Sequence, residues 1–275
     1  MNAEQLLKNV VDTKSSDLHL IFGVSPMVRT QGKLTVIPGT EKLTKETVKA
    51  LVLSLMRPDQ QKVFLKEKEL DFSVDLPGLA RFRVNTYFQR GTMAAALRHV
   101  PSKILSIDEL GLPPVCHSIA KLKQGFVLVT GPTGSGKSST LAAIIDEINQ
   151  TRSEHVVTVE DPVEFVFENK KSVISQRELG GDTMSWEKAL KSVLRQDPDV
   201  VLVGEMRDLE TMQAAITTAE TGHLVLATLH TNSAAQTIDR LVDSFPAGQQ
   251  SQIRSQLAGS LEVVLSQRLI PSIDG

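Results

Sequence analysis

The sequence predicts an α/β protein: a parallel sheet wrapped by helices in its second half, preceded by a smaller α+β domain. Three observations carry this reading. The second half contains short, continuous apolar runs at residues 126–129, 156–159, 200–203 and 224–227, separated by segments of helical periodicity. Strands apolar on both faces are those covered on both sides, the pattern of a parallel sheet with crossover helices. The first half alternates apolar and polar residues instead, as antiparallel strands with one buried face do. Between them Pro101, Gly111, Pro113 and Pro114 punctuate the chain. The expected organisation is a smaller domain over 1–100, a linker over 101–115 and an α/β core over 116–275.

Taken in order, Leu6, Leu7, Val10 and Val11 mark an opening amphipathic helix, and Val48, Leu51, Val52 and Leu55 a second. Residues 17–22 and 26–29 read as strands interrupted by Gly23. From Asp71 to Leu97 the alternation is regular. Phe72, Val74 and Leu76 share a face, Pro77-Gly78 turns the chain, and Ala80, Phe82, Val84 and Thr86 continue the inward face. Arg81, Arg83 and Asn85 then point together to the opposite side. In the second half, Leu141, Ile144, Ile145 and Ile148 define one helix, and Trp186, Ala189, Leu190, Val193 and Leu194 another.

The composition narrows the function classes. Of 275 residues, 41% are apolar and 23% charged, the mixture of a globular protein with a substantial core. Thirty basic and 32 acidic residues give a net charge of −2, which argues against a nucleic-acid binder driven by counterion release. A single Tyr and a single Trp argue further against a single-strand channel. Charge is uneven: residues 1–115 carry 16 basic and 12 acidic groups, net +4, and residues 116–275 carry 14 and 20, net −6. Such asymmetry permits electrostatic docking between the halves, within a chain or between copies, and compositional scatter explains it equally well. One cysteine, Cys116, excludes an intrachain disulfide and a cysteine-rich zinc site. No apolar run reaches the roughly 20 residues of a membrane span, and the N-terminus lacks a signal-peptide apolar region. A cytoplasmic protein without direct membrane insertion is expected.

The most specific signal is Gly131, Pro132, Thr133, Gly134, Ser135, Gly136, Lys137 and Ser138, which satisfies G-x-x-x-x-G-K-[ST]. It stands where the motif requires, after an apolar strand and before an amphipathic helix. Glycines let successive N–H groups converge on phosphate oxygens, and the helix start adds donors and positive partial charge. Lys137 is suited to the β- and γ-phosphates and the Ser138 hydroxyl to Mg²⁺, with Ser139 completing the expected binding set. The motif identifies a nucleoside triphosphate site, not a reaction.

Acidic groups follow at neighbouring strand ends. Residues 200–203 deliver Glu205 as a Walker-B-like acid, although Gly204 stands where many such proteins place aspartate, so Glu205 alone must hold magnesium, through water. The run Glu160-Asp161-Pro162-Val163-Glu164 supplies three carboxylates; alone it also reads as a solvated acidic turn, but beside a phosphate loop it suits polarisation of water. His230, at the edge of the strand begun by the fourth apolar run, suits a γ-phosphate sensor, and a satisfied structural histidine fits the same position. His223 reads as structural.

These segments in order, 131–138, Val-Glu-Asp-Pro-Val-Glu at 159–164, Gly-Glu-Met-Arg-Asp at 204–208, Ala-Glu-Thr-Gly-His at 219–223 and Thr-Leu-His-Thr at 228–231, resemble the secretion ATPases of the type II and type IV pilus superfamily. Ser-Asp-Leu-His-Leu at 16–20 and Ala-Arg-Phe-Arg-Val-Asn at 80–85 are similar to the N-terminal domain of its PilT-type branch, the pilus retraction ATPases. The resemblance implies a PAS-like N-terminal domain, a RecA-like P-loop core and a homohexameric ring. The ring would work with ATP and Mg²⁺ against a pilus platform protein at the inner face of the cytoplasmic membrane. It also implies Glu205 as the Walker B acid, Glu164 as catalytic base, and a His box with His223 and His230. Arg81, Arg83 and Arg98 match arginines that complete the nucleotide pocket, and solvated sheet arginines are the competing reading.

Two absences point to the retraction branch: no additional N-terminal domain, and no tetracysteine zinc motif after residues 266–270. The family continues past the position of Gly275 into a C-terminal helical region, which the resemblance implies is missing here. The alternatives are a pilus-assembly or type II secretion ATPase and, in another class, a nucleotide-dependent scaffold without hydrolysis.

Overall fold

The computed structural model describes residues 1–76, 79–100 and 103–270. The expected turn at Pro77-Gly78, the boundary residue Pro101 and the segment after Ile270 lie outside the described residues. The chain divides into two compact units, Met1–Ser102 and Lys103–Gly275.

The first unit opens with α1 (Ala3–Asp12), where Asn2 and Gln5 cap each other reciprocally. Strands β1 (Asp17–Leu20), β2 (Met27–Thr30) and β3 (Lys33–Val36) follow, then α2 (Lys45–Ser54), capped by Thr44 and Thr47. Helix α3 (Pro58–Glu67) starts on proline, whose fixed φ suits a first turn, and ends at Lys68 in the left-handed region. Strands β4 (Glu69–Leu76), β5 (Ala80–Gln89) and β6 (Thr92–Val100) complete an antiparallel sheet of order β3-β2-β1-β6-β5-β4. One face packs Leu18, Val28, Phe82, Val84 and Leu97 against Leu6, Val10, Val48, Val52 and Phe64 from the helices. The other face carries Arg81, Arg83 and Asn85, as the alternation predicts.

In the second unit α4 (Val115–Lys121) precedes β7 (Gly125–Thr130), α5 (Lys137–Thr151), β8 (His155–Glu160) and β9 (Val173–Glu178). Then come α6 (Trp186–Val193), β10 (Val200–Val203), α7 (Leu209–Glu220), β11 (Leu224–Leu229), α8 (Ala234–Asp243), α9 (Gln250–Ser260) and β12 (Leu261–Ser266). All neighbouring pairs run parallel in the order β12-β7-β11-β10-β8-β9. Alternate residues of the same strands enter two different cores. Phe126, Leu128, Val201 and Val203 meet α6, α7, α8 and α9 on one face. Val127, Val129, Leu202 and Leu226 meet α4 and α5 on the other. This is the both-faces-buried pattern the apolar runs predict.

Two details differ from the expectation. Ile107, within the stretch expected as a linker, is buried beside Cys116 and Ile119 in the second unit. Leu194 caps α6 and is exposed rather than packed. Among the described residues no helix is long and apolar enough to cross a membrane.

Candidate active site

The six parallel strands end at one edge of the sheet, the carboxyl edge where α/β sheets seat ligands. The loop after β7 curls through Gly131 (φ +145°), Gly134 (φ +79°) and Gly136 (φ +87°). At Gly131 glycine is required sterically as well: a Cβ would lie 2.2 Å from the Gln267 carbonyl oxygen. Gly136 is the N-cap of α5 and no side chain caps that helix, so its first N–H groups point into the loop.

Lys137 is buried, and its Nζ donates to the carbonyls of Gly131 at 2.9 Å and Pro132 at 3.1 Å. Burial pulls its pKa below the ordinary lysine value, while the negative charges of Glu205 and Glu164 oppose the shift. Both expected acids therefore act electrostatically on the loop lysine. Ser135 Oγ is buried without a hydrogen-bond partner, an unsatisfied polar atom inside a loop of donors. Ser138 and Ser139 are half-buried in the first turn of α5. A site rich in N–H, ammonium and hydroxyl groups fits a polyphosphate.

Glu205 is held on both carboxylate oxygens. Arg207 donates to Oε2 from Nε at 2.9 Å and Nη2 at 2.8 Å, and His230 Nε2 lies 3.0 Å from Oε1. His230 thus joins β11 to the acid after β10. His223 does not join it; at the opposite end of β11 its Nδ1 lies 3.1 Å from both Thr218 O and Thr221 Oγ1. The glycine at 204 has a steric cause. A Cβ there would lie 3.2 Å from Glu160 Cα and from Val159 O, because Gly204 N bonds Val159 O at 2.8 Å. A side chain at 204 would press on the backbone of β8, which would have to give by a few tenths of an ångström.

The acidic run is not a solvated turn throughout. Glu160 is buried and accepts from Thr158 Oγ1 (2.7 Å), Glu164 N (3.3 Å) and Gln176 Nε2 (3.3 Å). Burial nevertheless raises its pKa above the ordinary 4.5. Strand β9 fixes the rest of the loop, which includes a cis Asp161–Pro162 peptide. Glu178 accepts from Val163 N at 3.0 Å, and Gln176 bridges Phe165 O and Phe167 N at 2.7 and 2.8 Å. Glu164 thus stands on a loop laced to β8 and β9. Arg207, Gln176 and Glu178 were invisible as site residues in the sequence; only Arg207 lay inside a quoted motif.

In the first unit, Arg81 Nη1 bonds Asp75 at 3.1 Å. Arg83 lies directly across from Arg98 in the β5–β6 register, and Arg98 Nε bonds Asp17 Oδ1 at 3.0 Å. Burial works to raise the Asp17 pKa, but the Ser16 hydroxyl and Arg98 prevail and hold it below the ordinary value. The three expected arginines therefore share one face of the sheet.

The family described as "Type II/IV secretion system protein" matches residues 3–275. The chain belongs to this family. Among relatives of this secretion protein, the type IV pilus retraction ATPase PilT of Pseudomonas aeruginosa is 50% identical over 275 residues, all of this chain and 80% of that protein. A twitching motility protein of Neisseria gonorrhoeae is 50% identical over 265 residues, covering 96% of this chain and 70% of the relative. The secretion protein also superposes with TM-score 0.96 and 46% identity on a crystal structure of the pilus retraction motor PilT with bound ADP, over all of this chain and 80% of that one.

Proposed function

We propose that this secretion-family protein is a Mg²⁺-dependent ATPase subunit of a homohexameric motor that retracts a type IV pilus. The observation that carries the reading is the convergence on Lys137: the carbonyls of Gly131 and Pro132 hold its ammonium in the loop, and the charges of Glu205 and Glu164 reach it from neighbouring strand ends. Relatives named as retraction and twitching proteins, alike over most of their own length, favour the retraction branch.

In this mechanism residues 131–139 grip the triphosphate, with Lys137 on the β- and γ-phosphates. The hydroxyl of Ser138 and, through water, the carboxylate of Glu205 are hard oxygen donors suited to Mg²⁺. The metal, when bound, neutralises phosphate oxygens and so lowers the charge the attacking water must approach. Glu164 orients that water and takes its proton. His230, bonded to Glu205, reports on the phosphate end of the site. Arg81, Arg83 and Arg98 of a neighbouring subunit complete the pocket and stabilise charge spreading onto the γ-phosphate. The ring docks on a pilus platform protein at the cytoplasmic face of the inner membrane, without nucleic acid and without inserting into lipid.

Phosphate release and light scattering test this. The wild-type chain should release phosphate from ATP in a Mg²⁺-dependent manner and gain mass on adding ATP. Arg83→Ala and Arg98→Ala should slow turnover without weakening nucleotide binding by the unassembled chain. A persistent monomer that hydrolyses briskly would contradict the shared pocket, and absence of hydrolysis would leave only a nucleotide-binding scaffold.

A further inference from the structure

Strand β12 reaches beyond the sheet into the phosphate loop. Gln267, the residue after it, donates its backbone N–H to Thr130 O at 2.7 Å, and the hydroxyls of Ser266 and Thr130 stand 3.0 Å apart beneath it. The Gln267 carbonyl then presses on Gly131, at the start of the loop, so closely that only glycine fits. Its side chain spans to the far end of the loop. There the buried Thr140 hydroxyl of α5 donates to Oε1 at 2.9 Å, and Nε2 sits 3.0 Å from where a Cβ on Gly136 would be. One residue outside the motif therefore touches the first glycine, the N-cap glycine and the helix behind them.

With Oε1 accepting from Thr140, the group turned toward Gly136 is the –NH₂, and it makes no hydrogen bond within the chain among the described residues. It adds a donor to a place already crowded with them: the uncapped start of α5, Lys137 Nζ and the unpartnered Ser135 Oγ. Lys137 Nζ bonds the Gly131 and Pro132 carbonyls, while the Gln267 amide and Ser135 Oγ have no partner among the described residues, and such a gathering of polar hydrogens around an ammonium suits an anion.

We propose that Gln267 is a further nucleotide-binding residue: its main chain and side chain fix both ends of the phosphate loop, and its side-chain amide donates to a phosphate oxygen of the nucleotide. This rests on the nucleotide reading above and extends it to the last strand of the sheet.

The test is the affinity of the full chain for a fluorescent ADP analogue, with and without Mg²⁺, together with the melting temperature of the unliganded protein. Gln267→Glu keeps the length and the acceptor for Thr140 but puts carboxylate oxygen where the donor stood. It should bind at least about tenfold more weakly than wild type, and more weakly than Gln267→Ala, with an unchanged unliganded melting temperature. Thr140→Val, which frees the amide to turn, should lose affinity to a smaller degree. If Gln267 only packs, Gln267→Glu binds like wild type, and that result overturns the proposal while leaving the nucleotide site intact. A loss in Gln267→Glu that merely follows a lowered melting temperature, with Thr140→Val binding as wild type, overturns it too. Failure of the wild-type chain to bind the analogue would instead remove the nucleotide reading itself.

Discussion

The two sheets of this protein present polar chemistry in opposite ways. The antiparallel sheet displays it across a face: Ser73, Arg83, Arg98, Asp17 and Arg29 stand in one register row over five strands. The parallel sheet has no face to spare, since both are buried in apolar cores. The polar groups of its site stand at or past the strand ends, where the phosphate loop, Glu160, Glu205, His230 and Gln267 gather. A side chain on a face is tuned by its cross-strand neighbours, and exchanging it mainly alters local electrostatics. One at a strand end is held by loop backbone, and exchanging it alters the ligand site.

That contrast can be broken or sharpened by substitution. The largest effect belongs to the strand ends: Lys137→Ala should abolish measurable ATP binding by calorimetry, a loss of at least about a hundredfold, as expected when a buried charge partner is removed. Next, Glu164→Gln should retain ATP but release phosphate at least about tenfold more slowly. Unchanged turnover would move the base to another carboxylate. Gly204→Ala should cost about 1–3 kcal/mol in urea unfolding, because the methyl group meets the backbone of β8 rather than a yielding side chain. On the face of the other sheet, Asp17→Asn should cost about 1 kcal/mol at neutral pH, since Asp17 is buried but its partners Arg29 and Arg98 stay in contact with solvent and screen the pairs.

The two carboxylates should also differ in the sign of their pH dependence. Asp17 has a lowered pKa in the folded protein, so its contribution is present above about pH 3.8 and is lost as pH falls through the lowered value. Glu160 has a raised one, so its contribution is full below about pH 4.5 and is lost as pH rises through the raised value. Urea midpoints from pH 3 to 8 should therefore lose an upward slope in Asp17→Asn and a downward slope in Glu160→Gln. Parallel curves in the two variants would erase the distinction.

The sequence exposed the second unit best where the signal is local. Residues 131–138 form one contiguous motif, and Glu205 and His230 each stand two or three residues past an apolar run, so motif and strand could be read together. What remained hidden depends on neighbours distant in the chain. Gln176 and Glu178 matter because β9 lies beside β8, and Gln267 matters because β12 lies beside β7, more than a hundred residues earlier. Neither strand carries an uninterrupted apolar run, since both are edges of the sheet. In the first unit the alternation of residues 71–97 disclosed the arginine face. Strand β3, exposed along its whole length, and α3, with Phe64 as its one fully buried residue, left little pattern to find.

The central claim is that the loop after β7 grips a triphosphate while acids from neighbouring strand ends ready the water that cleaves it. A crystal structure of this chain with Mg²⁺ and a non-hydrolysable ATP analogue tests it most directly. The account predicts phosphates along residues 131–138, with Glu164 and Glu205 turned toward the terminal phosphate. An analogue bound elsewhere, or both carboxylates facing away from it, would contradict the account.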